Sequence, residues 1–272
     1  MSFDRAILGR TGIEVGRLGL ASSYGAPASA VAQAFDHGVN YFYWGSIRRN
    51  SFGDGLRALA PHRDRFLLVT QSYSRMASLI GPSLERALRA LRFDYTDALL
   101  LGLWNGAPPP RILDACRKLR ERGLVRYLAV STHNRPLIAR LAPDPQFDIF
   151  HVRYNAAHRG AEREVFPQLL AHNPPGLVSF TATSWRQLLG HRRIPQGEKI
   201  PTAADCYRFV LTQPAVNICM TGPSNASQFE EALEALRLGP MPEDEQQWMR
   251  RVGDAIYGKP PLIQGGGHKA RK

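Results

Sequence analysis

Cysteine is scarce in this chain: Cys116, Cys206 and Cys219 are widely separated among 272 residues with no C-x-x-C pair, which argues against a disulfide framework or a thiolate metal site. Long apolar runs are missing as well. No stretch approaches the roughly 20 residues needed to span a bilayer, and the opening Met1-Ser2-Phe3-Asp4-Arg5 has no basic region followed by an apolar run. The expectation is a cytoplasmic protein without membrane contact and without a metal. Acidic residues are in deficit, 23 against 35 Lys and Arg, leaving a formal net charge of +12. Such a field attracts phosphates and other anions. The basic residues are mostly Arg spread along helical stretches, such as Arg86, Arg89 and Arg92 or Arg117, Lys118, Arg120 and Arg122, and no nucleic-acid-binding motif is present. Specific nucleic-acid binding is therefore not expected; a small-molecule substrate, with an anionic one favoured by the field, is.

What the chain does have is one repeated unit: a short apolar strand, a loop, a helix of period 3.6, and a turn. Residues 5–15 alternate and turn at Gly9-Arg10-Thr11-Gly12, which predicts a hairpin ahead of the main fold. Strands are then predicted at 17–21, 40–43, 65–70, 97–101, 125–131, 147–152, 176–180 and 216–220. The matching helices are at 28–37, 51–59, 82–91, 109–122, 136–141, 162–171, 203–211 and 227–236, and a last helix at 243–257 has no strand after it. Nearly continuous apolar strands imply a parallel sheet covered on both faces, and eight strand-helix pairs close a barrel. The predicted fold is an α/β (β/α)8 TIM barrel with an N-terminal β-hairpin and a C-terminal extra helix. Residues 1–258 form one domain in this reading, and the glycine-rich, basic stretch 259–272 is a flexible tail.

Several motifs, in order, resemble the aldo-keto reductases: Leu8-Gly9-Arg10-Thr11-Gly12-Ile13-Glu14-Val15, Gly38-Val39-Asn40-Tyr41-Phe42, Arg120-Glu121-Arg122-Gly123-Leu124-Val125-Arg126, Val152-Arg153-Tyr154-Asn155, and Thr221-Gly222-Pro223-Ser224-Asn225 leading to Glu231. The resemblance implies an oxidoreductase that binds NADP(H). In that family an Asp ends the second strand, a Tyr proton donor lies five residues later, a Lys ends the third strand and a His the fourth. Here those positions hold Tyr43, Arg48, Gln71 and Gly102.

All four replacements change the chemistry. Arg48 keeps its proton at any working pH, so it can clamp an anion but cannot act as an acid; the alternative is a solvated loop arginine. Tyr43 carries a proton but lacks the lysine that would lower its pKa. Gln71 suits substrate positioning, and Gly102 supplies no side chain. The resemblance places His151 where the family has a Gln on the nicotinamide amide, and a histidine there could serve as acid or base near neutral pH. It likewise gives cofactor roles to Ser131, Phe180, Ser224, Gln228 and Glu231. Trp44, Gly102, Trp104, His133 and Arg153 complete the expected substrate pocket. Two other readings stay open at this point: a non-redox barrel enzyme such as a lyase or isomerase, and a ligand-binding regulatory protein without catalysis.

Overall fold

The computed structural model describes residues 3–45, 50–169 and 173–258. The short strands β1 (Ala6–Ile7) and β2 (Glu14–Val15) pair as an antiparallel hairpin. Eight parallel strands follow: β3 (Leu18–Ala21), β4 (Tyr41–Trp44), β5 (Leu67–Ser72), β6 (Thr96–Leu101), β7 (Val125–Thr132), β8 (Ile149–Arg153), β9 (Gly176–Phe180) and β10 (Ile218–Thr221). They close a barrel in sequence order, with β10 pairing back onto β3. The helices are α1 (Ala28–Asp36), α2 (Asn50–Ala58), α3 (Ala77–Leu91), α4 (Pro110–Glu121), α5 (Arg135–Leu141), α6 (Ala161–Glu164), α7 (Ala203–Leu211), α8 (Ala226–Leu238) and the added α9 (Glu243–Ile256). The TIM-barrel prediction therefore holds, hairpin and extra helix included. Among the described residues no helix is long and apolar enough to cross a membrane. The tail 259–272 lies outside the described residues, as does Arg48.

Two helix predictions need correction. Pro82 does not begin its helix: α3 starts five residues earlier, and the proline, which lacks only its own N–H, sits on the exposed face. The helix predicted over 162–171 is broken instead: α6 stops at Glu164 and a 3-10 turn, Phe166–Leu169, follows around Pro167. Gly38, with φ +81°, ends α1 as expected, donating its N–H to the Phe35 carbonyl at 3.0 Å and turning the chain into β4.

Strand alternation sorts the core into two shells. Phe42, Leu68, Leu99, Leu128, Phe150, Leu177 and Cys219 point outward under the helices. Tyr41, Leu67, Val69, Ala98, Leu100, Ala129, Ile149, Val178 and Ile218 fill the barrel, and Leu8 and Val15 of the hairpin close its floor. At the floor, a short polar side chain at the start of every second strand takes a backbone N–H from the strand before it. Asn40 takes Gly16 at 3.0 Å, Asp97 takes Leu68 at 2.8 Å, Asp148 takes Leu128 at 2.8 Å and Asn217 takes Leu177 at 2.7 Å. Arg63 and Arg126 bond Asp97 at 2.6 and 3.1 Å, and Arg120 pairs with Asp148.

Candidate active site at the barrel mouth

The same alternation that fills the barrel brings Tyr43, Gln71, Gly102, Ser131, Arg153 and Phe180 to its C-terminal mouth, with His151 one layer below. No carboxylate stands among these strand-end positions. The mouth therefore cannot use an Asp or Glu base on the strand ends, and its fixed charge is positive.

Gln71 and Gly102 do come together, in an unexpected way. A Cβ at Gly102 would lie 2.2 Å from Gln71 Nε2 and 2.7 Å from the Tyr73 ring. The space of the missing side chain is thus filled by Gln71 and Tyr73, not by Trp104. Tyr73 was missed in the sequence although the signal was there: it lies two residues beyond Gln71, on the same side of the chain. Among the described residues Gln71 Oε1 is buried without a hydrogen-bond partner. Tyr43, partly exposed, folds its ring back over Gly45, where a Cβ would come within 2.4 Å of its hydroxyl.

Both tryptophans assigned to the pocket point elsewhere. Trp44 follows Tyr43 on one strand, so the two must face opposite ways, and Trp44 packs outward against α2 near Gly53. Trp104 is also buried in the outer shell, with the Arg75 guanidinium 4.0 Å above its ring and its backbone N–H donated to the Ser131 carbonyl at 2.9 Å.

His151 departs furthest from its expected role. It is 4% exposed, and its Nε2 lies 2.8 Å from the hydroxyl of Tyr41, the buried residue one layer below Tyr43. Burial pushes its pKa down to about 3, so the ring is neutral at pH 7 and is not an acid-base group near neutrality. Burial pushes the Tyr41 hydroxyl the other way, and the negative charge Tyr43 would carry adds to that rise. The pair is a neutral internal hydrogen bond joining β4 to β8.

Arg153 heads a separate sector of the mouth. Its guanidinium lies 5.8 Å from the centre of the exposed Trp185 ring. His133 meets Phe180 edge-on, ring centres 5.8 Å apart, and His158 meets Trp185 and Tyr257 at 6.4 and 5.9 Å. Desolvation and Arg153 hold His133 below its ordinary pKa; burial, with Arg153, Arg135 and His133, takes His158 down to about 4. Trp185 sits in a loop where Thr181, Ser184, Trp185 and Arg186 all adopt positive φ, from 49° to 66°. Nothing in those residue types signals such a turn, so Trp185 could not be found from the sequence. The Thr181 and Ser184 hydroxyls are buried without partners among the described residues.

At the far side, Asn225 caps α8 by accepting the Gln228 N–H at 2.9 Å, and Gln228 Oε1 accepts the N–H and hydroxyl of Ser224 at 2.9 and 3.0 Å. Glu231 is exposed on the next turn. Tested against a nicotinamide dinucleotide, these residues fit: the Glu231 carboxylate can accept ribose hydroxyls, and the unpartnered Thr181 and Ser184 hydroxyls can serve phosphate oxygens. Ser131 accepts the Leu103 N–H at 2.9 Å and keeps its own proton to donate. His151 is withdrawn from that set by Tyr41.

Comparison with known proteins gives the same outline. The aldo/keto reductase family model matches residues 15–184. L-galactose dehydrogenase of Arabidopsis thaliana is 26% identical over 149 residues, 46% of this chain and 47% of that protein. An aryl-alcohol dehydrogenase, GME11368 of Pestalotiopsis microspora, is 30% identical over 92 residues, 31% of this chain and 24% of its own length. The chain thus aligns with less than half the length of either curated relative. Aldo-keto reductase AKR11C1 from Bacillus halodurans superposes in its holo form with a TM-score of 0.77 at 20% identity, over 93% of this chain and 97% of that one. Its apo form gives 0.75. At that identity the structures speak for the fold.

Proposed function

The chain belongs to the aldo/keto reductase family, and from that premise we propose that it is an oxidoreductase that binds a nicotinamide dinucleotide across the barrel mouth and uses a rebuilt site on an anionic small molecule. The observation that carries this reading is the pairing of a nucleotide-compatible rim, with Glu231 exposed and the Thr181 and Ser184 hydroxyls unpartnered, with a mouth from which the family's four reacting positions are gone. When bound, the dinucleotide supplies a hydride donor or acceptor. Of the chain's own groups, the Tyr43 and Tyr73 hydroxyls are the protons at the mouth, Gln71 is the positioning amide, and Arg153 is the cation.

NADP(H) is the cofactor the resemblance implies. Ser224, Gln228 and Glu231 include a carboxylate and no cation, so a 2′-phosphate would meet no favourable charge among them. We expect NADH to bind at least as tightly as NADPH. The test is a titration of both, followed by tryptophan quenching and energy transfer to the reduced nicotinamide. Saturable binding supports the proposal, and no response at millimolar concentration sinks it. A carbonyl and alcohol panel with Tyr43→Phe and Tyr73→Phe then reads turnover.

A second reading, a ligand-binding protein without turnover, has one observation in its favour: the histidine nearest the barrel axis is locked neutral against Tyr41. Binding with no turnover on any panel member selects that reading.

A further inference from the structure

The Arg153 sector holds a positive charge with no carboxylate counterpart among the described residues. Arg153 is half-buried, faces the barrel axis, and has Trp185 as its partner, with no ion pair to any carboxylate among the described residues. Arg135, the other guanidinium acting on this sector, is already bonded to Glu164 at 2.8 Å. Elsewhere in the barrel a buried or half-buried arginine is spent on protein oxygens: Arg63 on Asp97, Arg17 on the carbonyls of Leu211, Val216 and Asn217, and Arg208 on Glu245. A partly desolvated charge without a partner is unfavourable unless something else neutralises it.

We propose that Arg153 is the anion receptor of the mouth, its guanidinium holding the carboxylate or phosphate of a small ligand while Trp185 walls the ligand's body. The fork of N–H donors on a guanidinium matches two oxygens of either anion, and the half-buried position strengthens the contact over one made in open water. His133 and His158 stay neutral at pH 7 and do not compete as cations. The inference rests on the mouth being the ligand site, but not on any redox step, so it is tested with no reduced nucleotide present.

Wild-type protein is titrated with phenyl phosphate, benzoate and inorganic phosphate, reading the Arg153 Nε–H resonance by NMR, assigned from its loss in Arg153→Lys, together with tryptophan fluorescence. The expected result is a saturable shift of that resonance. Binding should weaken at least tenfold in Arg153→Gln, fall to an intermediate level in Arg153→Lys, and stay unchanged in the exposed control Arg140→Gln. A parallel titration with ADP-ribose separates the two sources of the anion. Arg153-dependent binding of ADP-ribose alone assigns the site to a nucleotide phosphate, and Arg153-dependent binding of the small anions assigns it to a substrate. Equal binding of every probe to wild type and Arg153→Gln, or an unmoved Arg153 resonance, overturns the proposal. Saturable NADH binding in that case leaves the oxidoreductase reading standing by itself.

Discussion

The floor and the mouth of this barrel are built from the same eight strands under opposite rules. At the floor, Asn40, Asp97, Asp148 and Asn217 repeat one device around the ring, each closing a neighbouring strand's N–H, and the two carboxylates are matched by Arg63, Arg126 and Arg120. At the mouth no device repeats. Among the described residues, Arg153 lacks a carboxylate, and Gln71 Oε1 and the Thr181 and Ser184 hydroxyls lack partners. The difference separates groups that hold the barrel closed from groups with no internal partner among the described residues.

The contrast can be broken most sharply at Asp97, whose side chain is 3% exposed. Asp97→Ala would leave the Leu68 N–H without its acceptor and Arg63 without its carboxylate, holding only the carbonyls of Phe66 and Tyr95, and we expect a loss of about 3–5 kcal/mol in chemical denaturation. A loss below about 1 kcal/mol would mean that the floor is not held this way.

The Tyr41–His151 pair lies between the two regions, and its test is pH. The folded pKa of His151, about 3, is below its unfolded value, so the unfolded chain takes up the proton first. Its contribution is complete above about pH 6.5 and is lost as pH falls toward 3. His151→Gln, which keeps a hydrogen-bonding group for Tyr41, should cost stability at pH 7 and narrow or reverse its deficit against wild type by pH 4. A gap constant from pH 7 to 4 would show that His151 titrates normally.

Smaller again is Asn217→Ala, which strands the Leu177 N–H and should cost about 1–3 kcal/mol. At the mouth the expected stability change nearly vanishes: Arg153→Gln should stay within about 0.5 kcal/mol of wild type, because it removes no ion pair. A large loss there would place Arg153 with the floor residues. The last test uses the groups that lower the His158 pKa beside burial, namely Arg153, Arg135 and His133. An anion seated on Arg153 offsets their repulsion and raises the His158 pKa from about 4, so binding takes up protons. Affinity for phenyl phosphate should rise about two- to five-fold from pH 7 to 5, after allowance for ionisation of the probe.

The barrel was legible in the sequence because period-2 and period-3.6 apolar patterns are local, and Gly38 marks a turn by its own backbone preference. The site was legible only as far as alternation reaches. It places Tyr43, Gln71 and Arg153 inward, and the same rule, applied one residue further, turns Trp44 outward. The hydrogen bond between Tyr41 and His151 spans 110 residues, and no local pattern announces it. The left-handed run that presents Trp185 is equally hidden, since Thr, Ser, Trp and Arg have no preference for that conformation.

The hairpin under the barrel also sets an order of events in time. Gly9, at φ +47°, lies so close to the Pro174-Gly176 backbone that a Cβ would come within 2.2 Å of the Gly176 nitrogen. Arg10 donates its backbone N–H to Pro174 and its guanidinium to the carbonyls of Ala142 and Asp144. β3 is paired on one side by β10, nearly 200 residues later. The hairpin and β3 thus depend on partners far along the chain, a distant closure of the kind that slows folding. Their backbone amides should be among the last in the barrel to gain protection from hydrogen exchange during refolding.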